Sequence, residues 1–428
     1  MKSYYEMNAD ELRLEREQLQ KKYDQYANMG LSLDMTRGKP SPEQLDLSNE
    51  LYTDLSKDGF KSLDGTDTRN YSTPAGIKDA RELFAQILGT SSDNIFLGNS
   101  SSLNQMFDSI MRATVFGEHD SDKPWGQIEG RKWLCPAPGY DRHFRVTQTL
   151  GFELITVPMT ADGPDMDIVE ELVKDEKVLG IWCNPVYSNP DGFVYSEETC
   201  RRLASMKTGA KDFRIYWDNA YVIHHLTANE AEQGRVPDIL ALCEEYGNPS
   251  RVYEFASSSK VTFAGAGISC FAANKENMDY AKKIMAVQTI CNNKVNQLAH
   301  ARFLPDLIAV KAHMEKHASI LRPKFGKTIE VLESELKPAG IASWNNPKGG
   351  YFVSLFVMKG TADKVVKMCK EIGVALTPAG ATYPYGKDPD DSNIRIAPSF
   401  PSVSDIDTAV NVLAVCAKIA AIDKLLEA

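Results

Sequence analysis

Short apolar runs typical of β-strands recur through the middle of this chain and alternate with helical patterns. The runs lie near residues 94–98, 131–135, 178–183, 213–217, 251–255 and 268–273, and helical patterns lie at 165–174, 196–206 and 237–246. Strands that alternate with helices form βα units and a mainly parallel sheet flanked by helices. The alternation therefore predicts an α/β fold, in which ligands bind beyond the carboxyl ends of the strands.

Both ends of the chain predict a second, smaller α+β domain. A capped helix is expected at 8–29, with Asn8 or Asp10 as the cap. The C-terminal region carries predicted strands at 350–355 and 393–397 and predicted helices at 362–372 and 403–425. Between the two domains, a helical region at 279–335 is expected to break at Pro305 and Pro323.

A chain of 428 residues is too long for one ordinary core, and its length predicts two or three domains. The predicted division is an N-terminal arm with part of the small domain at 1–60, a large domain at 61–315 and the rest of the small domain at 316–428.

The composition narrows the class of protein. The net charge of −10 argues against nucleic acid as a partner. The longest apolar runs are too short for a membrane helix, and the N-terminus lacks a signal-peptide pattern. Eight scattered cysteines, without a CxxC pair or a metal-type Cys/His spacing, predict free thiols, no metal site and a reducing, cytoplasmic location.

Three of the predicted strands are followed by polar segments whose order along the chain is informative. The run at 178–183 leads to Asn189-Pro190-Asp191-Gly192, and the run at 213–217 leads to Asp218-Asn219-Ala220-Tyr221. The run at 251–255 leads to Ser257-Ser258-Ser259-Lys260, which small residues and glycines follow. Considered alone, Asp218 is typical of a helix N-cap and Lys260 is typical of a surface loop. Taken together, they bring an amide, an acid with a phenol and a nucleophilic amine to one edge of a sheet.

This constellation resembles the fold-type I enzymes that use pyridoxal 5′-phosphate (PLP), and among them the class I aminotransferases. The three segments stand where that family carries Asn-Pro-Thr-Gly, Asp-x-Ala-Tyr and Ser-x-Ser-Lys. A divergent aspartate aminotransferase subgroup also carries Ser-Ser-Ser-Lys, Met-Thr-Arg-Gly-Lys-Pro and Cys-Asn-Pro-x-Tyr-Ser-Asn-Pro-Asp-Gly, as this chain does at 257–260, 35–40 and 183–192. The chain looks like a member of that subgroup over essentially its full length.

The resemblance implies a set of cofactor-binding residues. Lys260, Asp218 and Tyr221 are the implied catalytic residues: Lys260 would bind PLP and shuttle a proton, Asp218 would pair with the pyridine nitrogen, and Tyr221 with Asn189 would bind the phenolic oxygen. Tyr140 would stack on the ring. The phosphate would be held by Ser100, Ser101, Ser102, Ser257 and, across a homodimer interface, Tyr71.

The resemblance also implies substrate contacts. Arg395 matches the family arginine that binds the substrate α-carboxylate, Asn189 is a further implied substrate contact, and Gly38 would let backbone approach the carboxylate. Arg37 and Arg142 are the candidates for a second carboxylate, with Lys39 a weaker one, although each suits a plain surface position too. The sequence does not decide whether the side chains of Arg142 and the neighbouring His143 face the site or solvent.

One departure stands out, because Ile268 occupies the position where typical family members carry a phosphate-binding arginine. The phosphate must then rely on hydroxyl and backbone donors, or on a charge from elsewhere. The implied reaction is transamination between L-aspartate and 2-oxoglutarate, giving oxaloacetate and L-glutamate. The alternatives are an aromatic or broad-range aminotransferase, a β-lyase, or a non-catalytic regulator; the last is disfavoured because no basic helix-turn-helix segment precedes residue 70.

Overall fold

The computed structural model describes residues 2–427, and its elements follow the predicted alternation of strands and helices. The strands are β1 Leu33–Asp34, β2 Ile95–Leu97, β3 Lys132–Ala137, β4 Glu153–Thr160, β5 Gly163–Pro164, β6 Val178–Cys183, β7 Arg214–Asp218, β8 Val252–Ser257, β9 Ser269–Ala272, β10 Ser343–Trp344, β11 Val353–Phe356, β12 Val374–Ala375 and β13 Asn393–Ile396.

The α-helices are α1 Ala9–Ala27, α2 Pro42–Asp46, α3 Lys78–Leu88, α4 Ser102–Phe116, α5 Asp141–Thr149, α6 Met166–Leu172, α7 Glu197–Ser205, α8 Ile239–Glu245, α9 Lys275–Gln288, α10 Lys294–Phe303, α11 Leu307–Glu335, α12 Ala362–Ile372 and α13 Val403–Glu427. Short 3₁₀ turns lie at Tyr4–Glu6, Ser92–Asn94, Trp125–Gln127, Glu230–Glu232 and Pro384–Gly386.

The large sheet has eight strands in the order β2-β9-β8-β7-β6-β3-β4-β5. The strands β8, β7, β6, β3 and β4 pair in parallel, whereas β9 runs antiparallel to both of its neighbours and β5 folds back on β4. All six residues of β6 are buried, as the continuous apolar run of a central parallel strand requires. The prediction of a mainly parallel sheet is confirmed, and its carboxyl edge collects the ends of β3, β6, β7 and β8.

Two smaller sheets lie beside the chain termini. Strand β1 pairs in parallel with β12, and β10, β11 and β13 form an antiparallel sheet. The long helix α13 is apolar nearly all round because it is buried, with α1, α11 and α12 packed against it. Helix α1 begins where predicted, since the Asn8 side chain accepts hydrogen bonds from the backbone nitrogens of Asp10 and Glu11.

The apolar core forms one large cluster around the eight-stranded sheet and a second one that combines α1, α11, α12, α13 and the small sheets, and a small third cluster includes Leu83, Val261 and Val310. The division at residues 60 and 315 stays a prediction, and its terminal residues, Met1 and Ala428, lie outside the described residues. Within residues 2–427, no helix combines the length and the apolar character needed to cross a membrane.

The expected helix break at Pro323 is wrong. The break at Pro305 is present, between α10 and α11, but α11 continues through Pro323 to Glu335. An interior proline costs a helix about 3 kcal/mol. The buried side chains on either side, Leu321 and Phe325, together gain about as much or more by packing in the second core cluster.

Candidate active site

A cavity of about 1300 Å³ lies at the carboxyl edge of the large sheet. Its lining includes side chains at or just beyond four strand ends: Tyr140 after β3, Asn184 after β6, Asp218 at the end of β7, and Ser257 with Lys260 at and after the end of β8. The parallel order of these strands brings residues together that are far apart in the sequence.

Asp218 is fixed by one neighbour and keeps one oxygen without a partner. Its Oδ2 accepts a hydrogen bond from Nε2 of the buried His143 at 2.8 Å, and its Oδ1 has no hydrogen-bond partner among residues 2–427. The His143 ring stacks on Trp182, with centroids 4.3 Å apart and planes 7° apart. Asn184 Nδ2 donates to the Asp218 backbone oxygen at 2.7 Å. The site thus offers a held carboxylate with spare acceptor capacity.

Lys260 lies next to two protonated phenols. Its Nζ is over the Tyr221 ring, 4.9 Å from the centroid. Burial, and after it the charge of Asp218, raises the pKa of Tyr221, so this hydroxyl stays protonated and able to donate. Burial also raises the pKa of Tyr140, although the Lys260 charge opposes that shift. An amine, a carboxylate and two hydroxyl donors therefore share one cavity.

The first turn of α4 and the end of β8 form a hydroxyl-rich corner of the cavity. Its lining hydroxyls belong to Ser101, Ser102, Ser257 and Ser259. Ser257 Oγ lies 2.8 Å from Ser259 Oγ, and Ser101 Oγ caps α4 by accepting from the Leu103 backbone nitrogen at 3.2 Å. The amino end of a 15-residue helix with hydroxyls beside it suits a phosphate.

Two residues discussed for the phosphate site, Ser100 as a predicted ligand and Ile268 as the replacement of an expected arginine, lie outside the cavity lining. Ser100 is not part of the cavity lining, and its contribution is a backbone oxygen that accepts from Ser257 Oγ at 3.2 Å. Ile268 is buried in the core, and its backbone nitrogen donates to Ser258 Oγ at 2.8 Å. Gly267 permits the close approach of these loops, because a Cβ there would stand 2.8 Å from the Ser100 oxygen. This corner of the cavity thus presents serine hydroxyls, while Ile268 contributes only backbone groups to the loops beside it.

Arg395 reaches the cavity from the antiparallel sheet of the C-terminal region. In β13 the neighbouring Ile394 and Ile396 are buried in the second core cluster, while Arg395 lines the cavity, as the alternation of a strand predicts. Its Nη1 donates to Asn189 Oδ1 at 3.2 Å and to Asp141 Oδ1 at 2.9 Å. Its guanidinium carbon lies 5.0 Å from the centroid of a phenylalanine ring at position 352.

The candidate cations for a second carboxylate are spread along the cavity wall. Arg37, Lys39 and Arg142 all line the cavity and are exposed. Gly38 lies between the first two, and a Cβ at that position would stand 2.5 Å from Phe352 Cζ. Only glycine therefore lets this segment lie against the Phe352 ring.

Tyr71 lies away from the cavity of its own chain and is 73% exposed. The loop that carries it is held by Lys294, a buried lysine whose Nζ donates to the backbone oxygens of Asn70 and Ser72 and to Ser72 Oγ. The Tyr71 ring therefore faces solvent on a loop that Lys294 holds, outside the cavity of its own chain.

The sequence alone does not decide the role of His143, and Asn184, Asp141 and Phe352 are further site residues that the structure adds. For Asn184 the signal was present, since it follows β6 directly, as Asp218 ends β7. His143 lies in the first turn of α5, and only its distance to Asp218 reveals its role. Asp141 and Phe352 contact Arg395 because separate parts of the chain pack together, and no local sequence pattern predicts such contacts.

Comparisons with known proteins place this chain in a family. The family model described as aspartate amino-transferase matches residues 7–428. The aspartate aminotransferase of Corynebacterium glutamicum is 48% identical over 419 residues, which cover 98% of this chain and 96% of that protein. A putative aminotransferase of Mycolicibacterium smegmatis is 47% identical over 428 residues and covers 99% of each chain.

Among solved structures, an aspartate transaminase from Corynebacterium glutamicum superimposes with a TM-score of 0.96, at 48% identity and 99% coverage of both chains. The fold is therefore the fold type I of aminotransferases, and the protein is an aminotransferase enzyme. The chain belongs to the aspartate aminotransferase family.

Proposed function

We propose that this enzyme binds PLP through Lys260 and transfers the amino group between L-aspartate and 2-oxoglutarate, giving oxaloacetate and L-glutamate. The observation that carries the proposal is the meeting of Lys260, the unpartnered Asp218 oxygen and the Arg395 guanidinium in one cavity. The family match and the C. glutamicum relative, named an aspartate aminotransferase, support the reaction.

The residues present fit PLP. The unpartnered Oδ1 of Asp218 would accept from the pyridine N–H, and the serine hydroxyls at the start of α4 and the end of β8 would hold the phosphate. Tyr221 and Asn189 would bind the phenolic oxygen, and Tyr140 would cover the ring. When bound, PLP supplies an electron sink that lets the substrate α-carbon lose a proton.

The chain's own groups then perform distinct tasks. His143 keeps the Asp218 carboxylate oriented, so that its charge favours a protonated ring nitrogen. Lys260 would hold PLP, and its Nζ as a free amine would accept and then return the proton that the substrate α-carbon loses. Arg395 binds the α-carboxylate and thereby presents the α-carbon to Lys260.

For a dicarboxylic substrate the side-chain carboxylate needs a second cation. Arg37 and Arg142 line the same cavity as Arg395 and are exposed to it, which supports the assignment of one of them to that role. Arg37→Ala and Arg142→Ala variants test the assignment. If both retain wild-type KM for L-aspartate, neither arginine binds the distal carboxylate.

We further propose a homodimer in which Tyr71 of each protomer contacts the phosphate bound by the other. The exposed Tyr71 ring and the Lys294-held loop support this arrangement. The eight cysteines are all unpaired thiols, most of them buried, which supports a cytoplasmic location.

The substrate proposal is tested by kcat/KM for a panel of amino acids with 2-oxoglutarate as acceptor. L-Aspartate is expected to give the highest value, and Lys260→Ala is expected to lose turnover. A higher value for an aromatic amino acid would make the enzyme an aromatic aminotransferase. Release of ammonia and pyruvate without any keto acid would instead identify a β-lyase.

A further inference from the structure

Arg395 already has a carboxylate partner from its own chain. Asp141 Oδ1 accepts from Arg395 Nη1 at 2.9 Å, and both residues line the cavity. The Arg395 side chain is 7% exposed and the Asp141 side chain 30% exposed. An internal anion thus stands beside the guanidinium at the place where a substrate carboxylate must arrive.

Arg395 has contacts other than Asp141 that hold it in place. The guanidinium also donates to Asn189 Oδ1 at 3.2 Å and lies over the Phe352 ring, and its strand is paired with β11. Asp141 does not cap its own helix, because the residue before it occupies the cap position and, among residues 2–427, the Asp141 side chain hydrogen-bonds only to Arg395. Within the described residues Arg395 is thus the one hydrogen-bond partner of this carboxylate, which also lies in the first turn of α5.

Arg395 keeps donor capacity in spite of this pair. Its Nε is buried and has no hydrogen-bond partner among residues 2–427. A substrate carboxylate bound at the remaining N–H groups would share one cation with Asp141, and two carboxylates around one guanidinium repel each other.

The repulsion acts differently on the two substrate classes. An amino acid carries its ammonium group on the carbon next to the α-carboxylate, so its positive charge offsets the negative charge of Asp141. A keto acid has a carbonyl at that carbon and offers no such compensation. Like charges in a partly buried site interact strongly, because solvent screens them poorly.

We propose that Asp141 is a specificity-determining residue that weakens keto acid binding relative to amino acid binding at Arg395. The inference rests on the proposed function, since it assumes that Arg395 binds the α-carboxylate. The Asp141 carboxylate sets the balance between the two half-reactions by acting on ground-state binding, and it takes no part in moving protons.

The test compares KM values for 2-oxoglutarate and L-aspartate in wild type, Asp141→Asn and Asp141→Glu. In Asp141→Asn the KM for 2-oxoglutarate is expected to fall at least tenfold and that for L-aspartate less than threefold, whereas Asp141→Glu keeps the wild-type ratio. Asp141→Ser removes the same charge and serves as the second variant if Asp141→Asn does not fold. Calorimetric affinity for succinate, which cannot react, should rise in parallel.

Asp167→Asn is the matched control, because Asp167 also lies in the first turn of a helix and pairs with an arginine, Arg202, at 2.7 Å, but does not line the cavity. It should leave both KM values unchanged. A rise of both KM values in Asp141→Asn, an equal fall of both, or no change would overturn the inference. A wild-type enzyme that transaminates neither substrate would instead refute the proposed function, and the inference with it.

Discussion

The contact between His143 and Asp218 allows a quantitative prediction for the His143→Ala variant. The two side chains are 2.8 Å apart and only 3% and 6% exposed, so water does not replace the lost donor readily. A hydrogen bond to a buried charged group contributes about 1.5 to 3 kcal/mol. If Asp218 must be held for its charge to act on the cofactor ring, kcat/KM should fall about 10- to 150-fold.

The assay is steady-state transamination of L-aspartate at saturating PLP, with thermal unfolding of each variant measured alongside. His119→Ala is the control, since His119 lies on the surface, bonded to Ser250 Oγ at 3.0 Å, and does not line the cavity. Its kcat/KM should match the wild type. A folded His143→Ala enzyme whose kcat/KM stays within twofold of the wild type would refute the reasoning.

Three further predictions follow from the same structure. Arg395→Lys replaces a planar two-pronged donor by a point charge, and the KM for L-aspartate should rise at least tenfold; an unchanged KM would remove Arg395 from carboxylate binding. Burial lowers the pKa of His317 to about 3 and of His300 to about 4, so below pH 6.5 the unfolded chain binds more protons than the folded one. Above pH 6.5 these two histidines do not change the free energy of unfolding, and below it that free energy should fall by about 1.4 kcal/mol per pH unit for each histidine as the pH drops toward 4. Urea titrations at several pH values should show that the free energy of unfolding depends less on pH in His317→Gln; an identical pH dependence would contradict the assignment. Tyr71→Ala should release PLP faster in dialysis without lowering the melting temperature of the apoenzyme, whereas unchanged release would place Tyr71 outside the phosphate site.

The sheet was largely predictable because its strands carry strong local signals. The continuous apolar run at β6 and the polar group that ends β7 are both visible in the sequence, and the structure confirms their positions. Strand β4 escaped prediction because Pro158 interrupts its pattern. The proline is tolerated near the edge of the sheet, where the next strand is the two-residue β5.

Predictions that depend on long-range packing were less complete. Pro323 looked like a helix break because local propensity counts against it, whereas the burial of its neighbours keeps α11 intact. His143 and Asp141 belong to the helix after β3, yet their partners, Asp218 and Arg395, come from β7 and β13. Only the assembled sheets bring such pairs within hydrogen-bonding distance.

The most direct test of the central claim is an absorbance spectrum of the purified enzyme with PLP, followed by L-aspartate and then 2-oxoglutarate. The account predicts a visible band that depends on Lys260, that L-aspartate converts to a near-ultraviolet band and that 2-oxoglutarate restores. A visible band that L-aspartate leaves unchanged would contradict the proposed substrate. The absence of any visible band after PLP is added would contradict the role of Lys260 itself.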